Sequence, residues 1–261
     1  MSTGLYYETA EATPAAPWLV LIHGLFGNLD NLAVIKRHFS QQYNVLSIDL
    51  PDHGKSDRAQ PFSLSHTVEE VNQVLLHVGA REYHLLGHSL GGKAAMFYAL
   101  HYPEHVASLI VADIAPVSYP ARHNEIIAGL KAVDLEQITQ RKQADSQLAE
   151  YVDNPGVRQF LLKSLYQNAQ QQWQWRFNIE GLSEAYDNIR GWPDSTLQFN
   201  KPTLFIKGSE SDYIQSEYKA AIAKHFPLAK AHIIEGTGHW LHAEKPAAFN
   251  SVVEGFLRRQ D

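Results

Sequence analysis

Five residues carry the first chemical suggestion in this chain: Gly87-His88-Ser89-Leu90-Gly91 fit Gly-x-Ser-x-Gly. That pattern lets a chain leave a buried strand, turn sharply and enter a helix, with one serine held at the apex. The glycines have a steric reason, because a strained turn brings neighbouring backbone close and a Cβ there would clash. Serine is a weak nucleophile near neutral pH, so it needs a base within hydrogen-bond reach and a partner that orients the base. Of the 14 histidines, His239 stands out by position, in Glu235-Gly236-Thr237-Gly238-His239-Trp240, a glycine-rich stretch after the last strand-like run. There it can reach back over a sheet. His88 adjoins Ser89 and should point away from its oxygen, and His242 reads as packing or helix capping.

The elements needed to hold such a serine are present. Glu82 to Leu86 is a short strand-like run, preceded by Val78-Gly79-Ala80 as a helix end and turn. Lys93 to Leu100 is rich in helix formers and apolar almost all round, the signature of a buried helix, and Tyr102-Pro103 stops it. Other strand-like runs are Leu5 to Glu8 (an edge), Trp18 to Ile22, Tyr43 to Asp49, Ala107 to Ala112, Thr203 to Gly208 and Ala231 to Ile234. Helical patterns cover Asn31 to Gln42, Leu64 to Val78 and Ser216 to His225, and a closing helix carries Phe249, Val252, Val253, Phe256 and Leu257 on one face. Strand and helix alternate, which predicts an α/β fold with a mostly parallel sheet and helices on both faces. Ligands then bind at the carboxyl ends of the strands.

One interval breaks the alternation. Between Asp113 and Pro202 the sequence shows no buried strand, but helical segments over Ile126 to Val133, Leu135 to Tyr151, Val157 to Leu165 and Leu182 to Ile189. The interval is too long for one crossover. It reads as a helical cap, residues 118–198, inserted between core segments 1–117 and 199–261. Trp173, Trp175 and Phe177 in it are candidates for lining an acyl pocket.

Composition narrows the classes. The chain has 261 residues, 44% hydrophobic and 19% charged, enough for one large domain or one domain with an insertion. Net charge is −6 with no basic run, which argues against a nucleic-acid surface. Cysteine is absent, excluding disulfides and thiolate metal sites and agreeing with a cytoplasmic location. Met1 to Thr13 lacks the form of a signal peptide, and no apolar run approaches the ~20 residues that span a bilayer, so stable membrane anchoring is not expected. Asp49, Asp52, His53 and Asp57 resemble hard-metal ligands, but their spacing matches no metal pattern. Asp49 to Ser56 reads as a structural turn, and no metal or cofactor is expected.

These residues resemble the α/β-hydrolase family over nearly the whole chain, through His23-Gly24, Asp49-Leu50-Pro51-Asp52-His53-Gly54-Lys55-Ser56, Gly87 to Gly91 and Gly238-His239. Within it the chain is most similar to small bacterial esterases of the YbfF type, through Asp113-Ile114-Ala115-Pro116, Trp175-Arg176-Phe177-Asn178 and Gly238 to Pro246. The resemblance implies hydrolysis of small-molecule carboxylic esters, with acyl-CoA thioesters a further class, and implies Ser89 as nucleophile and His239 as base. Many relatives place the orienting acid three residues past the glycine that is Gly208 here, and that position is Ser211. Two aspartates compete instead. Asp113 closes the strand after the serine helix, and Ser89, Asp113, His239 follow the family's chain order. Asp212 sits one residue off the usual place. Asp113 is the chosen acid, with Ser211 a second hydrogen-bond partner and Asp212 the runner-up.

The oxyanion hole should come from the backbone N–H of Leu90, at the helix start, and of Leu25, with Phe26 the alternative to Leu25. Phe26, His88, Trp173, Trp175 and Trp240 are candidates to line the substrate site. Two other readings keep the fold and change the function: a carbon–carbon bond hydrolase or lyase, and a non-catalytic small-molecule receptor. Oligomeric state and physiological substrate are not set by the sequence.

Overall fold

A strand covered on both faces must be apolar at successive positions, because alternate side chains point to opposite faces. Trp18–Ile22 meets that condition and forms a central strand in the computed structural model, which describes residues 4–58 and 61–260. Met1 to Thr3, the start of the stretch read above as no signal peptide, lie outside the described residues.

In chain order the elements are β1 (Tyr7–Ala10), β2 (Trp18–Ile22), α1 (Ala33–Phe39), β3 (Asn44–Ile48), α2 (Leu64–Val78), β4 (Tyr83–His88), α3 (Leu90–His101) and β5 (Val106–Ala112). Then follow α4 (Asn124–Ala132), α5 (Arg141–Leu148), α6 (Pro155–Leu162), β6 (Leu165–Gln167), β7 (Trp173–Trp175), α7 (Ile179–Glu184) and α8 (Tyr186–Arg190). The chain closes with β8 (Thr203–Gly208), α9 (Lys219–His225), β9 (Ala229–Ile234), α10 (Leu241–Glu244) and α11 (Pro246–Leu257). Seven strands form one sheet in the order β1-β3-β2-β4-β5-β8-β9. All its pairings are parallel except that of β1, an antiparallel edge on β3.

The two-residue strand period sorts the side chains into two cores. Leu19, Leu21, Leu86, Ile110 and Ile206 pack with Ile35 and Phe39 of α1 and with Phe249, Val253 and Phe256 of α11. Val20, Ile22, Leu46, Leu85 and Val111 face the other way and pack with α2 and α3. Helix α3 is buried from Leu90 to Leu100, as its unbroken apolar surface requires. Helix α2 starts where the Ser63 side chain accepts the N–H of His66, and ends at Gly79 in the left-handed region (φ 76°).

The interval between β5 and β8 departs from expectation in detail. A two-stranded antiparallel sheet pairs Leu165–Gln167 with Trp173–Trp175 in an interval where no buried strand was expected. Each strand has three residues, too few for a periodic signal. The helix expected from Leu135 to Tyr151 is confined to Arg141–Leu148. The Asp134 carboxylate accepts the N–H groups of Glu136 and Gln137, and Gln143 Oε1 accepts those of Thr139 and Gln140, so side chains hold a turn where a helix would begin. The Leu182 to Ile189 segment is two helices, α7 and α8, the first begun by Asn178 accepting the Gly181 N–H. Among the described residues, no helix is long and apolar enough to cross a membrane.

Candidate active site

Five of the parallel strands end on one side of the sheet and deliver the residues singled out by sequence: His23 to Phe26 after β2, Ser89 after β4, Asp113 after β5, Ser211 after β8 and His239 after β9. Ser89 sits at the β4–α3 junction with φ 53° and ψ −120°, a sparsely populated conformation. Such a residue costs on the order of 1–3 kcal/mol and persists only where its surroundings fix it. Here the glycines fix it. A Cβ on Gly87 would lie 2.1 Å from the Gly91 carbonyl oxygen, and a Cβ on Gly91 would lie 2.2 Å from that of Ile22.

Ser89 Oγ lies 3.0 Å from His239 Nε2, and His239 Nδ1 lies 2.7 Å from Asp113 Oδ2. Asp113 is fully buried, with φ 54°. Its carboxylate also accepts the Gly208 N–H (3.3 Å) and the Ser211 hydroxyl. Ser211, at the place where the family resemblance leads one to expect an acid, therefore donates to a carboxylate supplied from the end of β5. With Nδ1–H directed to Asp113, the Nε2 lone pair of His239 faces the Ser89 hydroxyl. Asp212 is not part of this group. Its carboxylate pairs with Arg122 at 2.6 Å and is largely exposed, because it lies one residue past the position that faces the imidazole.

His88 Nε2–H donates to the His239 backbone carbonyl (2.9 Å) and so ties the serine turn to the histidine loop. Burial, with His242 and His239 close by, holds His88 well below the usual imidazole range, so it stays neutral. His242 is buried against His88, ring centroids 4.4 Å apart, and burial pushes it down to about 3. It packs, as its segment suggested.

On the other side of Ser89, the two candidate N–H donors after β2 part company. The Phe26 N–H donates to His53 Nε2 at 3.1 Å, which removes it from an oxyanion hole. Burial, with His23 nearby, pushes His53 down to about 3, and its Nδ1–H is held by the Pro51 carbonyl, so Nε2 remains an acceptor. Leu25 keeps a backbone N–H with no protein acceptor among the described residues, as does Leu90 in the first turn of α3. Asp49 to Ser56 is the structural turn expected from sequence: the Asp49 carboxylate accepts the N–H groups of Leu29 (2.7 Å) and Lys55 (2.9 Å), and Ser56 Oγ–H donates to the Asp49 carbonyl.

A cavity of about 240 Å³ opens over Ser89. Phe26, His88 and Trp240 are in its wall, whereas Trp173 and Trp175 are not. Trp175 stacks on Phe177 with centroids 5.4 Å apart, and Trp173 lies beside the Arg141 guanidinium, so both pack their own segment against its neighbours. Phe160, Ile126 and Val157 line the wall instead, from helices that carry no catalytic motif.

Sequence reading also missed Tyr213 and His123. The Tyr213 ring stacks on the His239 imidazole at 3.9 Å and 19°, with the Arg122 guanidinium 5.0 Å from the Tyr213 centroid. The Tyr213 hydroxyl meets His123 Nε2 at 3.3 Å, and burial pushes His123 down to about 4. The only sequence signal for Tyr213 is its place in the loop after β8, beside Ser211.

A family model described as alpha/beta hydrolase fold matches residues 17–246. The chain is 35% identical over 258 residues to "Esterase YbfF" of Escherichia coli, covering 98% of this chain and 99% of that protein. It is 34% identical over 261 residues to "sn-1-specific diacylglycerol lipase ABHD11" of Mus musculus, covering 97% and 85%. Among solved structures, "Marine microorganism esterase" aligns with a TM-score of 0.92 and 33% identity, covering 98% of this chain and all of that one.

Proposed function

The chain belongs to the alpha/beta hydrolase fold family, and from that membership we propose that it hydrolyses carboxylic esters through an acyl-enzyme on Ser89. One observation carries this reading: the Ser89 oxygen is 3.0 Å from an imidazole whose other nitrogen is 2.7 Å from a buried carboxylate. Ser89 Oγ attacks the ester carbonyl carbon while His239 Nε2 takes its proton. The N–H groups of Leu25 and Leu90 receive the oxyanion, each worth about 3–4 kcal/mol in the transition state. The carbon–oxygen bond breaks, and His239 returns the proton to the leaving alcohol. Water then gives a proton to His239 and attacks the acyl carbon, and as the bond to Ser89 Oγ breaks His239 passes that proton to Oγ, releasing the carboxylic acid and restoring Ser89. Asp113 holds the imidazole and balances its charge as it becomes imidazolium. Ser211 and the Gly208 N–H position Asp113.

We read residues 118–198 as a cap over this site. Support comes from Ile126, Val157, Phe160 and Leu161, which face Ser89 across the cavity. The cytoplasm is the compartment we assign, since a chain without cysteine needs no oxidising environment. A panel of aryl esters, acyl-CoA thioesters and diketones tests the reaction class, with ester turnover expected. A fluorophosphonate should label Ser89 covalently, read by mass spectrometry of the labelled peptide. No ester turnover, or ester turnover preserved in Ser89→Ala, defeats the reading.

A further inference from the structure

The space at Ser89 has two unequal lobes. Leu25, Ser89, Arg122, His123 and Tyr213 border both, forming a waist. One lobe is the cavity of about 240 Å³ described above, with Phe26, Ile126, Val157, Phe160 and Trp240 in its wall. The other offers only about 30 Å³, between Leu90, Ile114, Tyr119, Tyr186 and Ile189. Ile114, Tyr119, Tyr186 and Ile189 are all buried and give this lobe a packed floor, whereas exposed Pro120 and half-buried Arg122 and Arg190 form its rim. Lys93 is also in its wall, but its amine is turned away and donates to the carbonyls of Arg190 (2.6 Å) and Gly191 (2.7 Å).

The chemistry assigns each lobe a half of the ester. His239 protonates the leaving oxygen, so the alcohol must lie on the side of His239 Nε2. His239 lines the large lobe and is absent from the small one. The oxyanion occupies a third direction, toward the N–H groups of Leu25 and Leu90. The acyl chain is left with the small lobe. At about 30 Å³ against about 240 Å³, that lobe has about an eighth of the room of the other.

We infer that the small lobe is the acyl site and the large lobe the alcohol site, so that the preferred substrates are acetyl- or propionyl-sized esters of bulky apolar alcohols. This rests on the ester-hydrolase reading above. Longer acyl chains must displace Ile114, Ile189 or Tyr119 from their packing or lie out past the rim at Pro120 in water, and either course costs binding.

The test is kcat/KM for p-nitrophenyl acetate, propionate, hexanoate and octanoate with the full chain. A fall of about tenfold or more from propionate to hexanoate is expected, the scale of a misfit hydrocarbon group in a small pocket. Ile189→Ala, or the milder Ile189→Val, should raise the hexanoate-to-acetate ratio. Phe160→Ala should leave that ratio in place and instead change selectivity among acetates of methyl, benzyl and 2-naphthyl alcohols. Octanoate turned over as fast as acetate by the unmodified enzyme overturns the assignment, as does a ratio that moves with Phe160→Ala and not with Ile189→Ala. Absence of turnover on every ester would instead remove the esterase reading, and the assignment with it.

Discussion

The floor and the roof of the site are held by different kinds of interaction. On the floor, position is set by the main chain. Phe26, Ser89 and Asp113 all have positive φ, and the glycines around Ser89 leave no room for a side chain. The segment between β5 and β8, which we read as the roof, is tied to the floor through the main chain at Asn178, whose N–H donates to the Asp52 carbonyl (2.8 Å), and through several side chains. Lys93 donates to the carbonyls of Arg190 and Gly191, Ser164 Oγ–H to the Phe26 carbonyl (2.8 Å), and Asn178 Nδ2–H to the Asp52 carboxylate (2.8 Å). A main-chain device fixes where the reacting atoms sit and tolerates little change. Side-chain ties can be exchanged one at a time, so the roof is where selectivity can vary while the chemistry below stays the same.

Substitutions on the two levels should separate accordingly. Ser89→Ala should lower kcat by about 10⁶-fold, the scale seen when a serine nucleophile is removed, with the melting temperature little changed. Asp113→Asn should lower kcat by about 10⁴-fold, since the amide presents the wrong hydrogen-bonding face to His239 Nδ1. If Asp212→Asn proved the more damaging of the two, the acid would be misassigned and the floor would extend into the loop after β8. Lys93→Met joins the two levels. It leaves the Gly191 carbonyl without its donor, while the Arg190 carbonyl keeps the Tyr119 N–H, and should cost about 1–3 kcal/mol in urea unfolding, with the acyl-length profile shifting more than kcat on acetate.

Acid should weaken the floor and the roof together, since burial pushes His123 in the roof down to about 4 just as it depresses the floor histidines. Burial depresses His53 and His242 to about 3 and His23 to about 4, whereas the same imidazoles in the unfolded chain titrate near their ordinary value of about 6.5. Between about pH 6.5 and 4 the unfolded chain therefore binds more protons than the folded one, so stability falls as pH drops through that window. The upper limit is about 1.4 kcal/mol per pH unit for each such histidine. Calorimetric melting at pH 7, 6 and 5 should show it, and a flat profile would mean that these rings are protonated in the fold. Asp212→Asn closes the series with the smallest effect, less than about 1 kcal/mol, because its pair with Arg122 is solvent-exposed.

What was legible in the sequence follows the same division. The run Trp18–Ile22 and helix Leu64–Val78 were read with the bounds observed, because a fully covered strand and a half-covered helix each leave a clear period. The serine turn was readable because sterics allow little but glycine at Gly87 and Gly91. The two aspartates were not separable by composition. Only the register of β5 beside β8 puts the Asp113 carboxylate, and not that of Asp212, against the imidazole. Trp173 and Trp175 were misread because large aromatic side chains serve a pocket wall and an interior equally well. Phe160 and Tyr213 left no local mark, since their importance arises from which distant residues they meet.

The reacting pair is also spread over most of the chain: Ser89 and His239 are 150 residues apart. A polypeptide emerging from a ribosome would present the serine turn, the oxyanion loop and Asp113 long before its base. On the proposed mechanism the nascent chain would stay chemically silent until β9 joined the sheet edge and its loop brought His239 to Ser89. Activity is then a late and stringent reporter of folding, one that a truncated product or a misplaced last strand cannot imitate.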